Sequence, residues 1–152
     1  MSLRQNILNF ARPKRGHRVG NGQCWTFVET ALRTAGARTS NDMMGAENVV
    51  DDADYVWGDP VTLASLQPGD IIQFRDYSYT STGDDGSITV ERPHHTAIVS
   101  SVGTNGQVTV LEQNIDDTQI VRQNTLYLRD GAFGGRSVTV TGQMWFYRAL
   151  PK

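Results

Sequence analysis

The sequence is short of cysteine, of long apolar runs and, in two stretches, of charge of one sign. A single cysteine, Cys24, among 152 residues excludes an internal disulfide and a multi-cysteine metal site. Its thiol is then either an inert core group, the common fate of a free cysteine, or a nucleophile. No apolar run approaches the length of a membrane span, which excludes an integral membrane protein built on long helices. The opening Met-Ser-Leu leads straight into polar, helix-compatible residues without an apolar secretion segment. A protein acting outside the cell would then be exported by another route, or by a leader lying outside this sequence. No Asp or Glu precedes Glu29, whereas Arg4, Arg12, Lys14, Arg15 and Arg18 do, and no Lys or Arg falls between Asp42 and Asp59. Such runs read as solvated faces, or, for the basic one, as a surface suited to an anionic polymer or a phosphate-rich partner. With a net charge of −2, nothing global points to nucleic acid. Gly131, Gly134 and Gly135 follow no strand-to-helix pattern, so no phosphate-binding loop is expected.

What is present reads as helix first and strand afterwards, an α+β pattern in a single domain over residues 1–152. Residues 3–11 can form a short helix that stops at Pro13 and Gly16. A second helix follows Asn21-Gly22, because Cys24, Phe27, Val28, Ala31, Leu32 and Ala35 recur at three- and four-residue steps. Asn21 can cap its start and Gly36 its end. Residues 37–60 are acidic and mixed, expected as a loop with one or two helical turns. Leu66-Gln67-Pro68-Gly69-Asp70 reads as a turn into a strand at Ile71-Phe74. Residues 75–92 read as a polar, hairpin-like insert with its tip at Asp85-Gly86. Strands are expected at 95–102, 107–113, 118–128 and 137–148.

Cys24 falls in the first turn of its helix, where free backbone N–H groups and the positive end of the helix dipole stabilise a thiolate. The same groups can hold the oxyanion formed when sulfur attacks an amide carbonyl. A thiolate needs a base, and the chain offers His17, His94 and His95. If the 103–106 loop leaves an even number of residues unpaired, one sheet face carries His95, Ala97, Val99 and Ser101 beside Val108, Val110, Glu112 and Asn114. That face alone brings a histidine, a carboxylate and an amide to one end. Either Glu112 or Asn114 can hold the imidazole in its working tautomer. Taken singly, His95 also reads as a strand-end histidine, and Glu112 and Asn114 as surface residues near a turn.

These residues carry a family resemblance. Gly22-Gln23-Cys24-Trp25-Thr26-Phe27-Val28 resembles the Gly-x-Gln-Cys opening of CHAP domains, the cysteine- and histidine-dependent amidohydrolases/peptidases. Leu66 to Ile72 is similar to that family's Pro-Gly-Asp turn, His95-Thr96-Ala97-Ile98-Val99 to its His-x-Ala-Ile-Val strand, and Leu111-Glu112-Gln113-Asn114 to its Glu-x-Asn segment, in the same order. The resemblance spans residues 20–114 and leaves out the basic N-terminus, the 75–92 insert and the tail after 128. It implies a papain-like α+β fold within the NlpC-type group, with the helix bearing Cys24 packed on an antiparallel sheet. It further implies Cys24 as nucleophile, His95 as base, Glu112 with Asn114 as orienting residues, and Gln23 as an oxyanion donor, with no cofactor.

The activity then expected is amide hydrolysis in bacterial peptidoglycan peptides through a thioester, at the cell wall or after secretion. Two alternatives stay open. One is a secreted effector, protease or deamidase, that acts on a protein and is accompanied by an immunity or export partner. The other is a catalytically silent wall-binding module. Tyr55 and Trp57, with Tyr77 and Tyr79, are candidates for a substrate platform, whereas Trp25 is expected in the core. Asp84-Asp85 and Asp116-Asp117 offer oxygen ligands for Ca²⁺ but lack the spacing of a ligand loop, and no metal is expected.

Overall fold

The computed structural model describes residues 2–152. Helix α1 (Leu3–Ala11) begins at a capping box in which Ser2 and Gln5 satisfy each other's backbone N–H groups, and Pro13 sits in the 3₁₀ turn that ends it. Helix α2 (Cys24–Ala35) ends at Gly36, whose left-handed φ of +84° lets its N–H reach back to the last helical carbonyls. Its N-cap is Gln23, not Asn21 as the sequence suggests. Asn21 works from two residues further out, its Oδ1 accepting from the Gln23 N–H (3.1 Å) and the Thr26 hydroxyl (2.6 Å). A short helix, α3 (Ser40–Met44), and a 3₁₀ turn at Ala46–Asn48 occupy the acidic region.

Seven antiparallel strands follow: β1 (Asp59–Pro60), β2 (Ile71–Gly83), β3 (Gly86–Val102), β4 (Gln107–Ile115), β5 (Thr118–Tyr127), β6 (Gly131–Phe133) and β7 (Arg136–Arg148), in the order β1-β7-β2-β3-β4-β5, with β6 on β7. The central part of the sheet is buried on both faces, and period-two alternation divides its side chains between two cores. Ile71, Ile98, Leu111 and Val121 pack against Ile7, Phe27, Val28, Ala31 and Leu32 from the helices. Ile72, Phe74, Tyr77, Ala97, Val99, Val110 and Leu126 build a second core on the other face. There the sheet curls: the Tyr77 hydroxyl donates to the Tyr127 carbonyl, and the Tyr79 and Tyr127 rings stand 5.0 Å apart, although β2 and β5 are separated by two strands.

Three irregularities alter the expected alternation. The β3–β4 register pairs Val99 with Val110 but then shifts, so Ser101 faces Thr109 and Val102 faces Val108. The loop therefore leaves an odd number of residues unpaired, not the even number that the expected pairing requires, and the one-residue shift at Ser100 restores that pairing for the inner half of the two strands. Asn114 takes a left-handed φ of +70° at a second register shift, between β4 and β5. A third lies between β2 and β7, where Asp76 (φ +52°) faces Gly142 (φ +94°). A Cβ on Gly142 would collide with the Asp76 carbonyl, so only glycine fits there. The 75–92 region is the outer half of one continuous β2–β3 hairpin, not a separate insert.

Candidate active site

Cys24 opens α2, and buried Gln113 of β4 fixes where that helix starts. The Gln113 side chain donates to the carbonyls of Val19 (3.0 Å) and Gln23 (2.9 Å) and accepts from the Val19 N–H (2.7 Å). Those contacts tie the segment before the nucleophile to the sheet. Gln113 lies on the helix-covered face, so parity placed it away from the site and gave no hint of this task.

Half-buried Cys24 lies beside His95 and near the backbone N–H groups of Thr96 and Trp25, close enough for each to act on its thiol. Burial alone would push its thiol up, but the His95 bond and charge, together with those two N–H groups, bring it below the ordinary value. On the far side of the ring, His95 Nε2 stands 2.9 Å from Glu112 Oε1. Because an ionised carboxylate only accepts, Nε2 carries a proton and Nδ1 is left for sulfur. Burial would lower the His95 value, yet bonds to Cys24 and Glu112 raise it to about 9. His95 is 5% exposed and its ring stacks on Phe74.

Glu112 is fully buried. Burial would raise its carboxyl, but hydrogen bonds from His95 and Arg92 outweigh that and hold it at about 2. Arg92 grips it with two prongs, Nε to Oε1 at 2.9 Å and Nη2 to Oε2 at 2.8 Å, and Asn124 Nδ2 adds a bond to Oε2 at 2.9 Å. Arg92 and Asn124 were not foreseen. Strict alternation puts residues 92 and 95 on opposite faces. Both reach Glu112 because the pairing of β2 with β3 is interrupted between Arg75 and Tyr77, opposite Pro93, which has no N–H to donate. A proline inside a strand next to an arginine was the available signal.

Asn114 does not bond to the imidazole. Its Nδ2 donates to Gln23 Oε1 at 3.1 Å, because the left-handed bulge at Asn114 turns it towards the start of α2. That bond occupies the acceptor end of the Gln23 amide and leaves its NH₂ end as the donor that Gln23 can offer to the cleft it lines with Cys24.

Two clefts meet here. One of about 610 Å³ is lined by Gln23, Cys24, Trp25, Val50, Asp51 and Tyr55. The other, about 550 Å³, is lined by Tyr79, Glu91, Arg92, Asp116, Arg122 and Asn124. His94, His95 and Asn114 belong to both. Trp57 is completely buried, and its indole N–H is spent on Gln73; it is a core residue and no part of a substrate platform. The same holds for Tyr77. Tyr55 does line the first cleft, but its hydroxyl is tied to the carbonyls of Val50 and Asp51. Trp25, expected in the core, is half-buried and forms part of the cleft wall, held by a bond to Ser40. Asp85 is engaged by Arg136.

A family model for the AIM3/BBC1 cysteine proteinase-fold domain matches residues 2–152. The chain belongs to that family. The AIM3/BBC1 domain described here is also 26% identical over 136 residues to "Altered inheritance of mitochondria protein 3" of Debaryomyces hansenii. The match covers 82% of this chain and only 14% of that protein. Among solved structures, the domain resembles Ly7917 determined with "the hydrolyzing product of MDP" (TM-score 0.52, 21% identity) and Ly7917 alone (TM-score 0.54, 18% identity). Each likeness covers 91% of this chain and 62% of the other. Together they establish a papain-like cysteine proteinase fold for the AIM3/BBC1 domain.

Proposed function

We propose that this chain is a cysteine amidase or endopeptidase that hydrolyses an amide bond in a peptide laid across the two clefts. The observation that supports this most directly is the 2.9 Å bond from His95 Nε2 to buried Glu112, with the Cys24 sulfur beside the same ring at a helix N-terminus and both clefts opening on His95. The Cys24 thiolate attacks the carbonyl carbon, and the resulting oxyanion is held by the Cys24 N–H and the Gln23 amide. His95, as imidazolium, protonates the leaving amine, the C–N bond breaks and a thioester remains. Water, giving its proton to His95, then attacks the thioester and releases the acid and the thiolate.

Peptidoglycan peptide, cut at the cell wall, is the substrate class that the CHAP-like motifs favour, and the fold likeness to Ly7917, solved with a hydrolysis product, is compatible with it. A protein target is the second reading. It is favoured by the Debaryomyces relative, whose name concerns mitochondrial inheritance and in which this region is 14% of a longer chain. The two are separated by incubating the protein with purified peptidoglycan and, in parallel, with an unbiased peptide library. New amino groups from the wall, absent with Cys24→Ala, support the first reading. Cys24-dependent cuts confined to the library select the second. Reducing sugar ends would count against both, since a cysteine acyl-transfer site has no carboxylate pair for glycoside cleavage.

A further inference from the structure

Glu112 accepts four hydrogen bonds inside the protein, and Arg92 supplies two of them as a parallel pair. A carboxylate this buried is costly to keep ionised unless it is paired and its lone pairs are satisfied. His95 alone cannot do this through a catalytic cycle, because it loses its charge each time it gives its proton to the leaving amine. At that moment Arg92 is the fixed positive charge left beside Glu112. Arg92 is itself 6% exposed and lies on the β2–β3 hairpin, outside the segments that resemble CHAP domains. We infer that Arg92 is a positioning residue, which keeps Glu112 ionised and aimed at His95 Nε2 in both halves of the cycle, so that Nδ1 always faces Cys24. Arg92 touches no reacting atom; it acts through Glu112.

The charged and titratable groups around the carboxylate set the expected signs. From β3 come Arg92 and His95, with Cys24 beyond the ring. From β5 come Asn124, which is neutral, and Arg122, the cross-strand neighbour of Glu112, whose guanidinium is exposed and bonded to Thr118. Asp116 and, from β2, Tyr77 act on Arg92 itself, and Tyr79 is close enough to feel it. Removing the Arg92 charge leaves Glu112 two possible responses. If it stays ionised, the site becomes more negative and the Cys24 thiolate is disfavoured. If it takes up a proton, His95⁺ loses its partner, and the thiolate loses its imidazolium. Either way the thiolate forms at higher pH.

This inference rests on the proposed hydrolase reading, but its test needs no substrate. The rate of Cys24 alkylation by iodoacetamide is measured against pH for the wild type, Arg92→Met and Arg92→Lys. The wild type is expected to show a thiolate shoulder well below the pH of a free thiol; its absence would defeat the hydrolase reading itself. Given that shoulder, Arg92→Met should move it upward by about one pH unit or more, and Arg92→Lys, which keeps the charge but loses the fork, by less. Where a turnover assay exists, Arg92→Met should lower kcat at least tenfold with little change in KM. Should Arg92→Met misfold, Arg92→Ala with added guanidinium is the second variant, and millimolar guanidinium should restore the shoulder. A folded Arg92→Met, or a folded, unsupplemented Arg92→Ala, with the wild-type alkylation profile would overturn the inference.

Discussion

The Glu112 carboxylate accepts a hydrogen bond from His95 Nε2 at 2.9 Å, with both side chains almost wholly withdrawn from solvent. Asn114, two residues further along β4, instead holds Gln23. In the proposed mechanism the third-member role and the oxyanion-supporting role are thereby divided between two residues that a regular strand would have aimed the same way.

Cys24 should react with iodoacetamide rapidly near neutral pH, because its thiol is held below the ordinary value. Cys24→Ala should abolish turnover while leaving the thermal unfolding midpoint within a few degrees of wild type. A thiol that reacts only as the pH approaches the ~8.5 of a free cysteine would return Cys24 to the inert class.

The two adjacent histidines should differ in kind. His95→Ala removes the proposed general base and is expected to lower kcat by several orders of magnitude. His94 instead bonds the Ala53 carbonyl at 2.6 Å and packs on Tyr55, holding the acidic loop over the Cys24 cleft. His94→Ala should mainly raise KM, by up to about tenfold, the order expected on losing roughly one hydrogen bond. Steady-state kinetics on both variants decides; a kcat collapse in His94→Ala would show that the roles are assigned wrongly.

Stability should peak on the mildly acidic side of neutrality. The Glu112 carboxyl is depressed to about 2 from 4.5, so its contribution is complete above the unfolded value and is lost as the pH falls towards 2. His95 is raised to about 9 from 6.5, so its contribution is complete below 6.5 and is lost as the pH rises through 9. Thermal midpoints recorded from pH 2 to pH 10 should fall on both sides of roughly pH 4.5–6.5. Glu112→Gln should flatten the acidic limb, and an unchanged limb in that variant would contradict the depressed carboxyl.

Gln23→Ala should lower kcat about 10²–10³-fold, the usual cost of one oxyanion donor. Asn114→Ala, which frees the Gln23 amide to rotate, should cost less. Because both act on the same group, the double variant should be no worse than Gln23→Ala alone. Additive losses would mean that Asn114 acts elsewhere, for example on His95.

Trp57→Ala should destabilise the fold by about 3–5 kcal/mol, the range for deleting a large buried aromatic, as measured by urea unfolding. Trp25→Ala, on the cleft wall, should change stability less and substrate KM more. A Trp57 variant of wild-type stability with impaired binding would restore it to the platform.

What the sequence alone determined is what local pattern controls. The stripe from Cys24 to Ala35 and Gly36 behind it are enough to place a helix, and so to put the lone thiol at a helix start. Alternation in 95–99 and 110–113 fixes which residues within each strand share a face, though not which faces of the two strands coincide. Only the tertiary structure decided the rest. Bulges at Ser100 and Asn114 and the interruption at Pro93 are single-residue departures from period two, and each reverses parity for everything beyond it. Arg92 thus reached Glu112 and Asn114 reached Gln23 against the pattern. Trp57 and Tyr55 are both aromatics in one acidic loop, yet one is sealed in the core and the other lines the cleft. That difference depends on how the loop lies over the curled sheet, a long-range packing outcome to which no local sequence signal corresponds.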